Sequence, residues 1–256
     1  MSLLLTPLLL VLIDKLVLPR YGRDRRTLQE ISEPQQAPVI IAGFGRYGQI
    51  VGRMLFANGV RPTVLDHDAE QIEAMRRFGW RVYYGDATRL DLLRTAGAAT
   101  ARVLVVAVDD TAQSLGIVDL AREHFPQLAL VVRARDVTHW NELRDRGVMR
   151  VERELFESSL RSGRTVLEVL GLSAHEARQQ AMRFRRHNLQ LFEQMYPHHK
   201  DRAKVIAVIK QGRAQLEEQM ARERAEREMI VATLARNHGE VSSSARELQV
   251  SRTTLW

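Results

Sequence analysis

Short apolar runs alternate with helix-length segments through the middle of the chain. The runs are rich in β-branched residues and read VIIAGFG, PTVLD, VYYGD, VLVVAV, LALVVRA and VMRVE. Runs of this length that are apolar on both faces are typical of strands in a parallel sheet with helices on its two sides. We therefore predict an α/β domain with a Rossmann-like, doubly wound parallel sheet over residues 39–152.

From residue 153 onwards the pattern is helical, and no further strand is evident. Apolar residues recur at roughly helical spacing at Leu155, Leu160, Val166, Leu167 and Leu170. Gly171 follows them in the position of a C-cap. Residues 213–228 are highly charged with a thin apolar stripe, which is typical of a solvated helix, with a seam for a partner helix as the alternative. We predict that residues 153–228 form a helical C-terminal extension.

The first residues, MSLLLTPLLLVLIDKLVLPR, are apolar over positions 3–13. The run is shorter than the roughly 20 apolar residues of a bilayer-spanning helix, and it lacks the flanks of a signal peptide. We interpret residues 1–19 as the last turns of a membrane helix, with an interfacial or packed amphipathic helix as the alternative. Residues 20–38 have linker composition, and the basic residues beside the apolar run fit the cytoplasmic side.

The composition excludes some kinds of site and favours some kinds of partner. The chain has no cysteine, which excludes disulfides, thiolate metal sites and a cysteine nucleophile. Its formal net charge of +7 favours acidic partners, which include nucleotides, nucleic acid and anionic lipid headgroups. The arginines are spread along the chain without a long basic run, so charge alone does not choose among these partners.

A glycine-rich motif, Gly43-x-Gly45-x-x-Gly48, follows the first predicted strand and opens a helix. In this context Gly43 permits the tight turn, Gly45 lets the backbone approach a pyrophosphate, and Gly48 lets the helix pack on the strand. The phosphate would lie at the helix N-terminus. The candidate nucleotide contacts in this loop are Gly43, Phe44, Gly45, Arg46, Tyr47 and Gly48.

Acidic residues stand at the ends of the next strands. Asp66 closes the second strand beside His67, and its carboxylate fits the ribose hydroxyls of an adenosine while repelling the 2′-phosphate of NADP. Asp86 and Ala87 follow the third strand, at the edge where open α/β sheets bind ligands, with a surface turn as the alternative. Asp109, with Asp110 after it, follows the fourth strand, where helix capping is the alternative.

The chain offers few groups for catalysis. A hydride-transfer enzyme needs an acid or base beside the nicotinamide and a pocket for a second substrate. No tyrosine and lysine stand at helical spacing in the right region, and the candidate histidines, which are His67, His124, His198 and His199, have the surroundings of surface residues. We therefore predict a nucleotide-binding protein that is not an enzyme, with an NAD-dependent oxidoreductase as the alternative.

Several segments together resemble the RCK domain, also called KTN or TrkA-N, of Kef-type glutathione-gated potassium efflux antiporters. They are TPLLLVLIDKL, GFGRYGQIVGR, VYYGDATRLDLLRTAGA, HFPQL, RARD and FRRHN, and the similarity runs over residues 3–228. The resemblance implies a homodimer that binds NAD(H) or AMP and gates an attached transmembrane antiporter at the cytoplasmic face of the bacterial inner membrane. It also makes residues 153–228 a dimerisation and regulatory extension.

In that family glutathione holds the transporter closed and bulky glutathione adducts open it. A tripeptide anion is best held by guanidinium and amide groups. The resemblance places such groups at Arg53, Arg153 and Asn188, with Phe78 as the apolar element that distinguishes adducts from glutathione. The alternatives are a helix-surface arginine, a capping arginine, a turn asparagine and a core phenylalanine.

Residues 229–256 resemble the Fis-type helix-turn-helix of bacterial transcription activators through HGEVSSSARELQVSRTTL. Ala245 and Leu248 occupy its packing positions, and Arg252 and Thr253 would face DNA. The sequence ends about five residues into the recognition helix, whereas filling a major groove takes two or three turns. We therefore expect a partial, helix-turn-helix-like tail that does not bind nucleic acid, with a nucleotide-responsive DNA-binding regulator as the alternative.

Overall fold

The computed structural model describes residues 33–77, 79–80 and 82–251, without the side chains of residues 69–71 and 74. The predicted membrane-helix remnant, residues 1–19, and most of the linker lie outside this part of the chain. So do Phe78, Arg252 and Thr253. The contacts divide the chain into two units, with the boundary between Leu155 and Phe156.

The first unit is built on a six-stranded sheet in which every neighbouring pair is parallel, in the order β3-β2-β1-β4-β5-β6. The strands are β1 (Val39–Ala42), β2 (Thr63–Asp66), β3 (Val82–Tyr84), β4 (Val103–Val106), β5 (Ala129–Ala134) and β6 (Arg150–Arg153). This order confirms the predicted doubly wound sheet, and it places a change of winding direction between β1 and β4.

Five helices connect these strands: α1 (Arg46–Ala57), α2 (Ala69–Arg77), α3 (Leu90–Thr95), α4 (Thr111–His124) and α5 (Val137–Asp145). Asp110 is the N-cap of α4, because its carboxylate accepts a hydrogen bond from the Gln113 backbone N–H at 2.7 Å. The helix-capping alternative is therefore what the structure shows for Asp110.

The core of the first unit lies against the central strands. Every residue of β1 and β2 is buried, which explains why these runs are apolar on both faces. Phe44, two residues after β1, is 0% exposed and packs on Trp80 with a ring-centroid distance of 5.4 Å. Gly52 of α1 lies under the Phe44 ring, where a Cβ would approach a ring carbon to 2.7 Å. The close contact fixes α1 against the sheet.

His139 on α5 is a buried titratable side chain with 2% exposure. Its Nδ1 accepts a hydrogen bond from the Arg135 backbone N–H at 3.3 Å, whereas its Nε2 has no hydrogen-bond partner. Burial lowers the pKa of His139 below its ordinary value. The charged groups that also act on it are Asp136, Glu142, Arg133 and Arg146.

We expect the first unit to lose stability in mildly acidic solution. Since the folded-state pKa of His139 is depressed, the unfolded chain binds more protons once the pH falls below the unfolded value of about 6.5. His139→Gln should therefore weaken the pH dependence of the unfolding free energy, measured by urea denaturation between about pH 7.5 and 5. His175→Gln, at an exposed position, is the matched control. An unchanged slope in His139→Gln would contradict this prediction.

The second unit is helical, as predicted. It comprises α6 (Phe156–Val169), α7 (Ala174–Met195), a short 3₁₀ turn (Tyr196–His198), α8 (Arg202–Arg236) and α9 (Val241–Glu247). A capping box between Ser173 and Glu176 starts α7, and α7 contacts both α6 and α8. Gly171 adopts φ +101° just after α6, which is the left-handed conformation of a C-cap glycine.

The charged segment predicted as a helix is part of the much longer α8. This helix continues past residue 228, so the start predicted for the C-terminal tail falls inside it. Glu247 of α9 accepts hydrogen bonds from the side chains of Arg236 and Asn237 at 2.6 and 2.7 Å, and Ala245 is buried. None of the helices in the described residues is long and apolar enough to cross a membrane.

Candidate functional site

A cleft of about 280 Å³ opens at the carboxyl edge of the sheet, where the winding direction changes between β1 and β4. Ligands of open α/β sheets bind at this point. The lining residues stand at or just after the ends of β1, β2, β3 and β4: Gly43, Gly45, Leu65, Asp66, His67, Asp68, Gly85, Ala87, Ala107, Val108, Asp109, Asp110 and Gln113.

Each glycine of the loop has a distinct environment. Gly43 adopts φ +92°, and a Cβ there would come within 2.8 Å of the Val108 nitrogen. A Cβ on Gly48 would collide with the carbonyl oxygen of Gly43. A Cβ on Gly45 would meet no atom within 4 Å, although Gly45 lines the cleft. Gly43 and Gly48 therefore let the loop form, and Gly45 leaves space beside the backbone for a ligand.

Helix α1 presents its N-terminus at this loop. Its N-cap residue is Gly45, which makes no side-chain cap, and its first turn contains no acidic residue. The first amide groups of an α-helix have no partner within the helix, and the helix dipole adds partial positive charge there. The arrangement suits a phosphate, so the loop fits the group that the sequence predicts.

Asp66 supports this loop from the end of β2. One carboxylate oxygen accepts the Phe44 backbone N–H at 2.5 Å, and the other accepts the Asp68 backbone N–H at 2.8 Å. The side chain is buried but lines the cleft. Each carboxylate oxygen can accept more than one hydrogen bond, so Asp66 can hold the loop and still accept ligand hydroxyls.

Asp86 lies between Gly85 and Ala87, which line the cleft, but its own side chain is not part of the lining and instead closes the turn after β3. Its Oδ1 accepts the Thr88 backbone N–H at 2.9 Å and a longer bond from the Gln113 side chain at 3.4 Å. Burial would raise the pKa of Asp86, but these hydrogen bonds and nearby His67 lower it below its ordinary value. Asp86 is therefore charged at neutral pH. The described residues contain no group of acidic and histidine side chains able to hold a metal ion.

A buried arginine lies behind the cleft wall. The Arg133 side chain, at the end of β5, is 7% exposed and pairs with Asp109 and Glu154, each at 2.6 Å. It also donates to the carbonyl oxygen of Ala107 at 3.1 Å, and its guanidinium lies 5.6 Å from the ring centroid of Tyr47. Burial raises the pKa of Tyr47. This network connects the loop after β4 to the segment after β6.

Two known families match the chain in succession. The TrkA-N domain family matches residues 39–153, and the family described as the potassium efflux system KefB C-terminal domain matches residues 158–239. The first match spans the sheet and its helices. The second begins within α6 and runs through α8, so the change of family falls close to the boundary between the two units.

A solved structure named Shewanella denitrificans Kef CTD in AMP bound form is similar to this chain. The two share 41% identity with a TM-score of 0.58, over 62% of this chain and 97% of that one. The chain belongs to the Kef-type TrkA-N domain family. The glutathione-regulated potassium-efflux system proteins KefC of Escherichia fergusonii and of Escherichia coli strain SE11 are 48% and 47% identical over 224 residues. These cover 88% of this chain, which spans 36% of each relative's length.

The structure brings several predicted nucleotide contacts of this Kef-type domain together in the cleft: Gly43, Gly45, Asp66, His67, Ala87 and Asp109. Phe44 and Gly48 are buried beneath the loop, and Asp86 lies beside Gln113. Arg46 is exposed at the start of α1, and Tyr47 is half-buried.

Sequence reasoning missed Gly85, Gln113 and Arg133. Gln113 could have been found as a side chain in the first turn of the helix after β4, because that helix starts at the ligand edge of the sheet. Arg133 stood in an apolar strand, and its partners are distant in sequence.

The glutathione ligands expected from the family lie on three different elements. Arg53 is exposed on α1, and its Nε donates to the Gln49 carbonyl oxygen at 3.4 Å. Arg153 is the last residue of β6. Asn188 lies inside α7, so the alternative of a turn asparagine is wrong. Arg53 and Arg153 belong to the first unit and Asn188 to the second.

Proposed function

We propose that this chain is the ligand-sensing regulatory domain of a potassium/proton efflux antiporter. It binds an adenine nucleotide, NAD(H) or AMP, together with glutathione or its adducts, and it gates transport. The observation that carries the proposal is the cleft itself, in which the uncapped N-terminus of α1 faces the space left by Gly45, with Asp66 on the adjoining wall.

The nucleotide would lie across the switch point of the sheet. Its phosphate accepts hydrogen bonds from the first amides of α1, where Arg46 adds a positive charge. Its ribose donates to Asp66, and a 2′-phosphate at this carboxylate would be repelled. The similar Shewanella denitrificans structure is described as AMP-bound, which supports an adenine nucleotide in this cleft.

Glutathione would bind through its carboxylates and amides. Arg53 and Arg153 supply guanidinium groups, Asn188 supplies an amide, and Phe78 supplies the apolar contact that distinguishes adducts. The names of the KefC relatives, which describe them as glutathione-regulated, support this assignment. A basic chain of net charge +7 also favours an anionic ligand.

Gating of this kind requires no bond to be made or broken. A ligand shifts an equilibrium between two states by as much as its affinity differs between them. The domain would act as a homodimer at the cytoplasmic face of the inner membrane, joined to a transmembrane antiporter domain or subunit. The relatives are potassium-efflux proteins, which supports a regulatory role rather than an enzymatic one.

Calorimetric titration of the full 256-residue chain with glutathione tests the proposal. Arg153→Ala and Asn188→Ala should each weaken glutathione about 10- to 100-fold, because a hydrogen bond to a charged group contributes about 1.5–3 kcal/mol. The affinity for AMP should stay within about threefold of the wild-type value.

The controls are Arg150→Ala on the same strand and Gln190→Ala on the same helix, both at exposed positions. Neither should change glutathione affinity. If the wild-type chain binds no glutathione, or if both ligand variants bind it normally, the assigned site is wrong. Turnover of NADH with a second substrate would instead favour an oxidoreductase.

A further inference from the structure

Arg133, on β5, joins two segments that are far apart in sequence, the loop after β4 and the segment after β6. One terminal nitrogen, Nη1, contacts Asp109 and the carbonyl oxygen of Ala107, and the other, Nη2, contacts Glu154. The guanidinium is planar and presents its donors in a fixed fork, so its two ends hold their partners at a defined separation. The guanidinium therefore forms a rigid bridge between the two carboxylates.

The surroundings of Arg133 differ at the two ends of this connection. Its side chain is 7% exposed, and it lies between one well-exposed carboxylate, Asp109, and one largely covered carboxylate, Glu154. Burial would lower the pKa of Arg133, but the hydrogen bonds to Glu154 and Asp109 raise it above its ordinary value. The pair with Glu154 is therefore screened less than a surface pair, whereas the carboxylate of Asp109 is open to solvent and to a ligand in the cleft.

The two ends of the network have different neighbours. Asp109 and Ala107 both line the nucleotide cleft, and Tyr47, against the guanidinium, belongs to the first turn of α1. Glu154 directly follows β6, and its backbone N–H donates to the Ala134 carbonyl oxygen at 3.1 Å. Arg133 thus connects the wall of the cleft to the last residues of the first unit.

We propose that Arg133 is a positioning residue that couples occupancy of the cleft to the segment after β6. A nucleotide that contacts the loop after β4 fixes Asp109, which fixes the Arg133 fork and so the position of Glu154. By linkage, anything that holds Glu154 in place strengthens nucleotide binding by the same factor. The inference rests on the proposed nucleotide site. It connects that site to Glu154 and so to the adjacent Arg153, a proposed glutathione ligand.

Amide hydrogen exchange of the full chain, with and without AMP, tests the coupling. In the wild type, AMP should slow exchange at the Glu154 amide about tenfold, because ordering the fork reduces local opening of its hydrogen bond. Arg133→Lys keeps the positive charge but loses the planar guanidinium. Glu154→Gln keeps the backbone N–H that is measured but loses the carboxylate that pairs with Arg133. At saturating AMP both should lose the slowing at residue 154, and by linkage their affinity for AMP should fall by no more than the same factor of about ten.

Arg146→Lys is the matched control, because this arginine of the same unit pairs with Asp119 at 2.8 Å in a more exposed setting. It should keep the wild-type response. AMP binding without any slowing at Glu154 in the wild type overturns the coupling but not the nucleotide site. Equal slowing in wild type, Arg133→Lys and Glu154→Gln also overturns it. A wild-type chain that binds no adenine nucleotide overturns both proposals.

Discussion

A Gly45→Ala chain is expected to fold with almost wild-type stability and to bind AMP about 100-fold more weakly, a loss of about 2.7 kcal/mol. Gly45 has φ −64° and ψ −166°, which alanine adopts readily, and its Cβ would meet no protein atom within 4 Å. The methyl group instead projects from the N-cap of α1, where the phosphate must approach the backbone. Calorimetry with AMP and urea unfolding of the same samples measure both quantities.

Substitutions at two other glycines distinguish an effect on AMP binding from an effect on stability. Gly48→Ala should reduce the free energy of unfolding by about 2–4 kcal/mol, because its Cβ collides with the backbone carbonyl of Gly43. Gly116→Ala, at an exposed helical site with open space around it, should be neutral or stabilising by up to about 1 kcal/mol and leave AMP binding unchanged. If Gly45→Ala binds AMP as tightly as the wild type, the phosphate does not lie on this loop.

The fold could be predicted from sequence because its signals are local. Buried parallel strands need apolar residues on both faces, and β1 and β2 meet this condition along their whole length. All six runs predicted as strands form strands, although β6, at the edge of the sheet, has no fully buried residue. The long helix α8 was only partly predicted, since its apolar residues do not keep to one face and its start depends on a cap by Asp201. The Asp201 carboxylate accepts hydrogen bonds from the backbone N–H groups of Ala203 and Lys204. Because this cap is a local feature, the start of α8 could have been recognised from the sequence.

The nucleotide site was predicted well for residues that only contact the ligand. It was predicted less completely for residues that also support other parts of the site. Asp66 was expected to contact a ribose, but its bond to the Phe44 amide joins residues 22 positions apart. Two partners of Arg133 are distant along the chain: Glu154 lies 21 residues away and Ala107 lies 26 residues away. Such contacts depend on which strands are neighbours and on their register, which no single run of residues specifies.

Asp66→Ala is expected to weaken AMP binding at least 100-fold and to lower the free energy of unfolding by about 2–4 kcal/mol. The carboxylate accepts the amides of Phe44 and Asp68, and removing the acceptor from a buried amide costs about 1–3 kcal/mol. The loop that presents α1 to the phosphate loses its support, and the ribose loses its acceptor. Calorimetry with AMP and urea denaturation provide the two measurements.

Asp68→Ala is the matched control, since Asp68 is an exposed carboxylate on the same wall and the variant keeps the backbone N–H that Asp66 accepts. It removes the same charge from the cleft and should change AMP affinity less than about fivefold. If the two variants behave alike, the negative charge of the wall matters and the hydrogen bonds of Asp66 do not.

The two roles of Asp66 can be separated with a modified ligand. If its carboxylate accepts the ribose 2′-hydroxyl, the wild type should prefer AMP to 2′-deoxy-AMP by about tenfold, as expected for one charge-assisted hydrogen bond. Asp66→Ala should bind the two ligands equally, because the acceptor is gone, whereas Asp68→Ala should keep the wild-type preference. Equal binding of both ligands by the wild type would leave Asp66 as a support for the glycine loop and move the ribose to another part of the cleft.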